Sequence, residues 1–216
     1  MAVEIIPAIL EKDFEHIKAK IIEIEPYALW AQIDIVDGVF APNVTWNNPG
    51  ELKMLNTSVQ LEIDLMITEP EKYIDAWIAS GAARIFFHLE ATKNPQAVIQ
   101  SIQEAGMQAG ISINPSTEAE ALYEFIPSVD AVLLLGVEPG FQGQVFHENT
   151  IEKVRTIRAK FPEIAIEVDG GVRPGIARKL AEAGVSRIVA GSAIFEEGAF
   201  SINKRIEDLI HDTKLN

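Results

Sequence analysis

Eight short apolar runs recur along the chain, at residues 3–10, 29–36, 59–67, 84–89, 108–113, 131–137, 164–168 and 187–190. Most are near-continuous in Val, Ile, Leu and Phe, the pattern of strands covered on both faces in a parallel sheet. Between them, residues 14–24, 73–79, 95–104, 118–125, 150–160 and 174–183 carry helical spacing. Asp13 and Asn149 stand where N-caps belong, and Gly81, Gly106 and Gly184 where helices end. Strand–helix alternation with short connections predicts an α/β parallel sheet, and eight repeats predict closure into a (β/α)8 TIM barrel. A doubly wound open sheet is the alternative, but it usually has fewer strands and carries a first-turn glycine fingerprint that is missing here.

A single barrel domain over residues 1–216 suits this length, since such barrels routinely exceed 200 residues. With 48% hydrophobic residues the chain has ample material for a large core. No apolar run reaches 18 residues and the N-terminal segment lacks a signal-peptide pattern, so a soluble, cytoplasmic protein without a membrane partner is expected. The chain has no cysteine, which excludes disulfides, thiolate ligation and thiol nucleophiles. A net charge of -14 argues against nucleic-acid binding, which draws on clustered Lys and Arg. Any phosphate group must then be held by local donors such as backbone N–H groups. A homo-oligomer is compatible with the sequence, which does not define it.

Three strand ends finish in polar pairs at i, i+2: Gln32 with Asp34, Glu62 with Asp64, and Glu167 with Asp169. Alternate residues of a strand share a face, so each pair points one way and the three aim at a common place, the layout of a metal or acid–base site. In a parallel barrel that place is the mouth, where the strand-to-helix loops gather. Glycine-rich stretches follow the last three strands: 137–144, 168–172 and 190–195. Glycines admit a phosphate close to the backbone, and the loops after the seventh and eighth strands commonly grip one.

Taken together, Ile6-Pro7-Ala8-Ile9-Leu10, Ile33-Asp34-Ile35-Val36-Asp37-Gly38, Pro42-Asn43-Val44-Thr45, Leu65-Met66, His88-Leu89-Glu90-Ala91, Pro139-Gly140-Phe141, Val168-Asp169-Gly170-Gly171 and Gly191-Ser192 make a specific set. In these the chain resembles the ribulose-phosphate 3-epimerase family over nearly its whole length. The resemblance implies a barrel of the ribulose-phosphate-binding type and an isomerase of carbohydrate metabolism. Its substrate would be a ketose phosphate of the D-ribulose 5-phosphate / D-xylulose 5-phosphate type. It implies Asp34 and Asp169 as the acid–base pair, and Met66, Gly140, Phe141, Gln142, Gly143, Gly170, Gly171, Gly191 and Ser192 as substrate and phosphate contacts. The chemistry so implied is proton abstraction beside a ketone, with a divalent metal stabilising the enediolate.

The chain departs from the family's pattern at the metal. Gln32 and Asp64 stand where the family has its two histidines, Ala8 where it has a serine, Leu135-Gly136 where it has Met-Ser, and Gln142 where it has a glycine. The remaining set, Gln32, Asp34, Asp64 and Asp169, offers only oxygen to a cation. Such a set suits Mg²⁺ or Mn²⁺ better than Zn²⁺ or Fe²⁺. Without a cation the clustered carboxylates repel, and at least one should keep its proton. Two readings stay open here, a hard-metal site and one that has left metal chemistry.

His88, with Glu90 two residues on, reads as a hydrogen-bonded supporting residue rather than a ligand. His16, His147 and His211 read as exposed. Arg173 could face a substrate phosphate or lie idle on the surface. Asp37 suits a turn as well as catalysis, and Glu62 and Glu167 could steady the pairs or reach core partners at the mouth. Trp30, Trp46 and Trp77 read as core or loop anchors. Besides an epimerase, the chain could be a phosphosugar-binding paralogue that has lost catalysis. It could also be a decarboxylase or aldolase of the same barrel, although those relatives carry Lys where Val36 stands.

Overall fold

The computed structural model describes residues 2–196, 198 and 200–214. Eight strands close in sequence order into one parallel barrel, with the last strand pairing back to the first. They are β1 Glu4–Ile9, β2 Trp30–Val36, β3 Gln60–Met66, β4 Arg84–His88, β5 Gln108–Ile113, β6 Ala131–Leu135, β7 Ala165–Asp169 and β8 Arg187–Ala190. Among the described residues the α-helices are α1 Phe14–Ile24, α2 Ile74–Ile78, α3 Pro95–Glu104, α4 Asn149–Lys160, α5 Ile176–Ala183, α6 Ser192–Phe195 and α7 Ile202–Asp212. No described helix is long and apolar enough to cross a membrane.

Strand parity divides the core in two. Ile9, Ile33, Ile35, Ile63, Leu65, Ile85, Phe87, Ile111, Val132, Leu134, Val168 and Ile188 belong to the large apolar layer between strands and helices. The alternate residues fill the barrel itself. There, small apolar clusters around Phe86, Leu133 and Leu135, and around Ile6, Ala8 and Val189, share the space with buried Gln32, Asp34, Glu62, Asp64, Arg84, His88, Ser112, Glu167 and Asp169. At the centre, a Cβ on Gly110 would meet the Phe86 ring at 2.2 Å, so the missing side chain on β5 is what lets that ring pack.

Several local expectations are met. Asp13 caps α1 by accepting from the His16 N–H at 3.0 Å, and Gly184 closes α5 at φ +96°. Trp46 and Trp77 are buried and meet edge to face at 6.1 Å. Others are not met. The expected helix at 118–125 is instead two short 3₁₀ turns, Ala119–Leu122 and Ile126–Ser128. Pro127 disfavours α geometry at Ile126, leaving too little chain for a cooperative helix. Asn149 does not cap α4. It is the first helical residue, and its side chain donates to the Pro115 carbonyl at 3.2 Å, tying the loop after β5 to α4.

The sixth strand stops at Leu135, two residues before the expected end. A Cβ on Gly136 would lie 2.5 Å from the Gly170 carbonyl and from the Phe146 ring, and the Gly136 N–H donates to the Asp169 carbonyl at 2.6 Å. Here the chain leaves the sheet and passes close beneath the loop after β7. That approach brings the loops after β6 and β7 together at the mouth.

Candidate functional site

The three polar pairs resolve into two layers. A strand rises about 3.3 Å per residue, so partners at i and i+2 share a face but stand some ~7 Å apart along the barrel. Asp34, Asp64 and Asp169 form the upper layer, with Asp34 in register with Asp64 on the neighbouring strand. Each offers an oxygen, and these atoms lie within 4.8 Å of one another. Among the described residues no Lys or Arg makes an ion pair with them; the contact is His88, whose Nε2 is 3.5 Å from Asp64 Oδ2. Gln32 starts one layer lower, but its longer side chain reaches up. Its Nε2 donates to Asp34 Oδ1 and to Asp169 Oδ2, both at 2.8 Å.

Glu62 and Glu167 do not reach the mouth. Both are fully buried beneath it, where Arg84 Nη1 meets Glu62 at 2.5 Å and Glu167 at 2.8 Å. Arg187 extends this network, meeting Glu167 at 2.6 Å and Glu4 at 3.4 Å. The Arg84 guanidinium also lies 4.3 Å from the centre of the Trp30 ring. The sequence signal for this network is an Arg at the start of two strands, β4 and β8, in register with a Glu on the preceding strand.

Burial raises the pKa of Asp34 well above the ordinary range, and repulsion from Asp169 and Asp64 raises it further; the Gln32 hydrogen bond opposes them. Burial, then the charge of Asp64, brings Asp169 up to about 7. For His88, burial favours the neutral ring, but Asp64 and Glu90 outweigh it and raise its pKa to about 9. Glu90 is pushed up by burial but brought down to about 2 by His88, the Thr117 hydroxyl and the Asn114 N–H. The two carboxylates thus favour the cationic form of His88, which lies between Asp64 and Glu90 with the Phe40 ring 4.8 Å from its own. Its supporting role is a charge contact more than a hydrogen bond, since both nitrogens are at 3.5 Å or more from the carboxylates.

Above the carboxylates lies a pocket lined by Asp34, Met66, Gly140, Phe141, Gln142, Gly143, Asp169, Gly170, Gly171, Gly191 and Ser192. The acid pair and all nine expected substrate contacts therefore meet in one place. Gln32 and Asp64 lie beneath its floor. Leu10, Leu135, Val137, Glu138 and Pro139 complete the wall, and no chemical signal in their residue types singled them out. Ser112 was also missed; its hydroxyl donates to Asp64 Oδ1 at 3.1 Å.

Asp37 holds a turn. Its oxygens accept from the Val39, Phe40 and Thr68 N–H groups, each at 2.8 Å, which ties the loop after β2 to the end of β3. Thr45 braces the same loop by donating to the Asp34 carbonyl at 2.9 Å, and Asn43 joins it to the loop after β6 by donating to the Gly140 carbonyl at 2.7 Å. Arg173 does not line the pocket; it pairs at 3.1 Å with Glu196 on the surface. His16, His147 and His211 are exposed.

The donor chemistry admits a hard cation. Buried Gln32 Oε1 and Asp64 Oδ2 have no hydrogen-bond partner, and three carboxylates converge beside them. In its present orientation Gln32 presents N–H rather than oxygen to Asp34 and Asp169. To ligate a metal it would have to turn its amide over.

A profile described as "Ribulose-phosphate 3 epimerase family" matches residues 4–195. The chain is 39% identical over 200 residues to the cytoplasmic isoform of ribulose-phosphate 3-epimerase from Oryza sativa subsp. japonica, covering 90% of this chain and 88% of that one. It is 36% identical over 204 residues to the ribulose-phosphate 3-epimerase of Eremothecium gossypii, covering 88% and 85%. Among solved structures it is similar to the 3-hexulose-6-phosphate synthase from Salmonella typhimurium. That match has a TM-score of 0.73 at 13% identity, over 98% of this chain and 98% of that one, and is a likeness of fold alone.

Proposed function

Since the chain belongs to the ribulose-phosphate 3-epimerase family, we propose that it epimerises a ketose phosphate, with D-ribulose 5-phosphate and D-xylulose 5-phosphate as its substrate pair and Asp34 and Asp169 as its acid–base pair. The observation that carries this reading is the pocket in which two buried carboxylates from β2 and β7 face the glycine-rich loops after β6, β7 and β8.

An aspartate removes the proton next to the ketone and its partner returns one to the opposite face of the carbon. The two must then differ in protonation at the start of each turnover. Crowding of Asp34 and Asp169 in one buried cluster favours that asymmetry, because two carboxylates so close resist ionising together. The Gln32 amide, donating to both, fixes the direction in which each presents its oxygens. Backbone N–H groups around Gly143, Gly170, Gly171 and Gly191 receive the phosphate, with Met66 and Phe141 as apolar wall.

Asp34, Asp64, Asp169 and, after reorientation, Gln32 would hold Mg²⁺ or Mn²⁺. When bound, such an ion stabilises the negative charge that develops on the substrate oxygens. A cytoplasmic enzyme of carbohydrate metabolism, free or as a homo-oligomer, accords with this reading.

The test is exchange of the substrate C3 proton with deuterated solvent, followed by NMR on D-ribulose 5-phosphate with Mg²⁺ or Mn²⁺. Exchange should be rapid in the native protein and lost in both Asp34→Asn and Asp169→Asn. Persistence of exchange in either variant removes that aspartate from the assignment.

A further inference from the structure

The pocket is already partly filled from within. Gln142 stands on the loop after β6, yet its side chain crosses the mouth and donates from Nε2 to the Ala8 carbonyl at the end of β1, at 3.3 Å. On the way it lies over β8: a Cβ on Gly191 would fall 2.1 Å from Gln142 Nε2 and 2.6 Å from its Cδ. The space that Gly191 leaves by having no side chain is thus taken by this carboxamide. What is left of the pocket is about 40 Å³, room for a few waters. Small-molecule sites commonly run to roughly 300–1,000 Å³. The Gln142 carboxamide thus stands in space at the Gly191 end that a ketose phosphate would use.

The carboxamide is held weakly enough to be moved. Gln142 is an exposed residue, so withdrawing it uncovers little packed surface. Its hold is one long neutral hydrogen bond, whereas the hydrogen bonds that a phosphate accepts are charge-assisted and stronger. Among the described residues no carboxylate lies within hydrogen-bonding distance of this amide.

We propose that Gln142 is a specificity-determining plug: its carboxamide occupies the Gly191 end of the pocket, and the phosphate of the incoming ligand displaces it. Ligands of the phosphate monoester class enter because their own bonds offset the displacement, whereas a neutral sugar hydroxyl exchanges one weak hydrogen bond for another. The proposal rests on the reading of this pocket as a sugar-phosphate site, but its test does not depend on turnover.

Binding of inorganic phosphate is measured calorimetrically in the native protein, in Gln142→Ala, and in Gln142→Asn, whose amide is one methylene too short to reach Ala8. Both variants should bind phosphate about three- to tenfold more tightly, the contribution of the single hydrogen bond given up. In the native protein, the Gln142 side-chain NH₂ resonances should shift in step with phosphate saturation. Weaker binding in both variants would make the amide a phosphate ligand and overturn the proposal. Equal binding in all three proteins, or no binding in any, overturns it as well. Solvent exchange on D-ribulose 5-phosphate is read separately: a native protein without exchange counts against the epimerase assignment and leaves the plug standing on its own measurement.

Discussion

The barrel holds two groups of buried carboxylates, one layer apart, and treats them in opposite ways. In the lower layer Glu62 and Glu167 close around Arg84, with Arg187 and Glu4 beyond. In the upper layer Asp34, Asp64 and Asp169 converge on one another, with a neutral amide and the edge of His88 for company. Burying a carboxylate costs several kcal/mol unless a counter-charge or a proton meets it. The lower layer brings its counter-charges in its own sequence. The upper layer has only His88, beside Asp64, and leaves the rest of the deficit to be met by protons, a cation or substrate.

The sharpest break between the layers is in activity. Asp34→Asn and Asp169→Asn should each lower kcat for epimerisation by about 10²–10⁴-fold, the usual contribution of a positioned acid or base, while the melting temperature holds or rises. A variant that loses activity only because it unfolds would erase the distinction, and calorimetry on the same samples detects that.

Next in size is stability. Arg84→Met strands Glu62 in the lower layer and leaves Glu167 with Arg187 alone, and should cost about 3–5 kcal/mol in urea unfolding, as removal of one partner of a buried pair does. The matched change above, Asp64→Asn, removes one of three repelling charges and should leave metal-free stability equal or higher, although it also unpairs His88. If both variants are destabilised alike, the two layers do not differ as described.

A smaller effect follows from pH. Asp34 and Asp169 have folded pKa values above that of a free aspartate, Asp169 at about 7. The folded state therefore binds their protons more tightly than the unfolded state. The contribution of Asp169 to stability is full below about pH 4 and is lost as pH rises through about 7, and that of Asp34 is likewise lost as pH rises through its own raised pKa. His88, raised to about 9, adds a stabilisation present below its ordinary value near 6.5 and lost as pH climbs through 9. Melting temperatures in a chelator should thus decline from about pH 5 to about pH 9, and Asp169→Asn should flatten the lower half of that decline. A rise across the acidic half of that range would contradict the upper-layer assignment.

The smallest shift concerns the cation. Mn²⁺ should raise the melting temperature by a few degrees at about pH 8 and by much less at about pH 5, because carboxylates ligate only once deprotonated. Differential scanning fluorimetry separates the two conditions.

Much of the barrel was legible in sequence because strands covered on both faces announce themselves as continuous apolar runs; β5 and β8 fall within the residues read for them. The pocket was legible because chemistry at strand ends and glycines after strands share the same loops. What escaped was depth. Period-2 reading assigns a face but not a height, so Glu62 and Glu167 could not be told from Asp64 and Asp169 until strand register was known. Side-chain reach escaped too: Gln32 climbs a layer and Gln142 crosses the mouth, and neither follows from spacing. The segment at 118–125 failed because helical periodicity is no help when the chain has only a turn or two before a proline.

The bare position on β5 carries a consequence for how this protein can change over time. Gln32 and Asp64 lie just beneath the pocket, where a proton or an ion can rebalance the charge, so a change there alters chemistry without demanding that the barrel be rebuilt. At Gly110 there is no such slack. A single methyl group would collide with Phe86, which stands in register with both Gly110 and Asp64. The scaffold is thus a fixed frame with an editable rim, and position 110 tolerates less change than the polar positions around it.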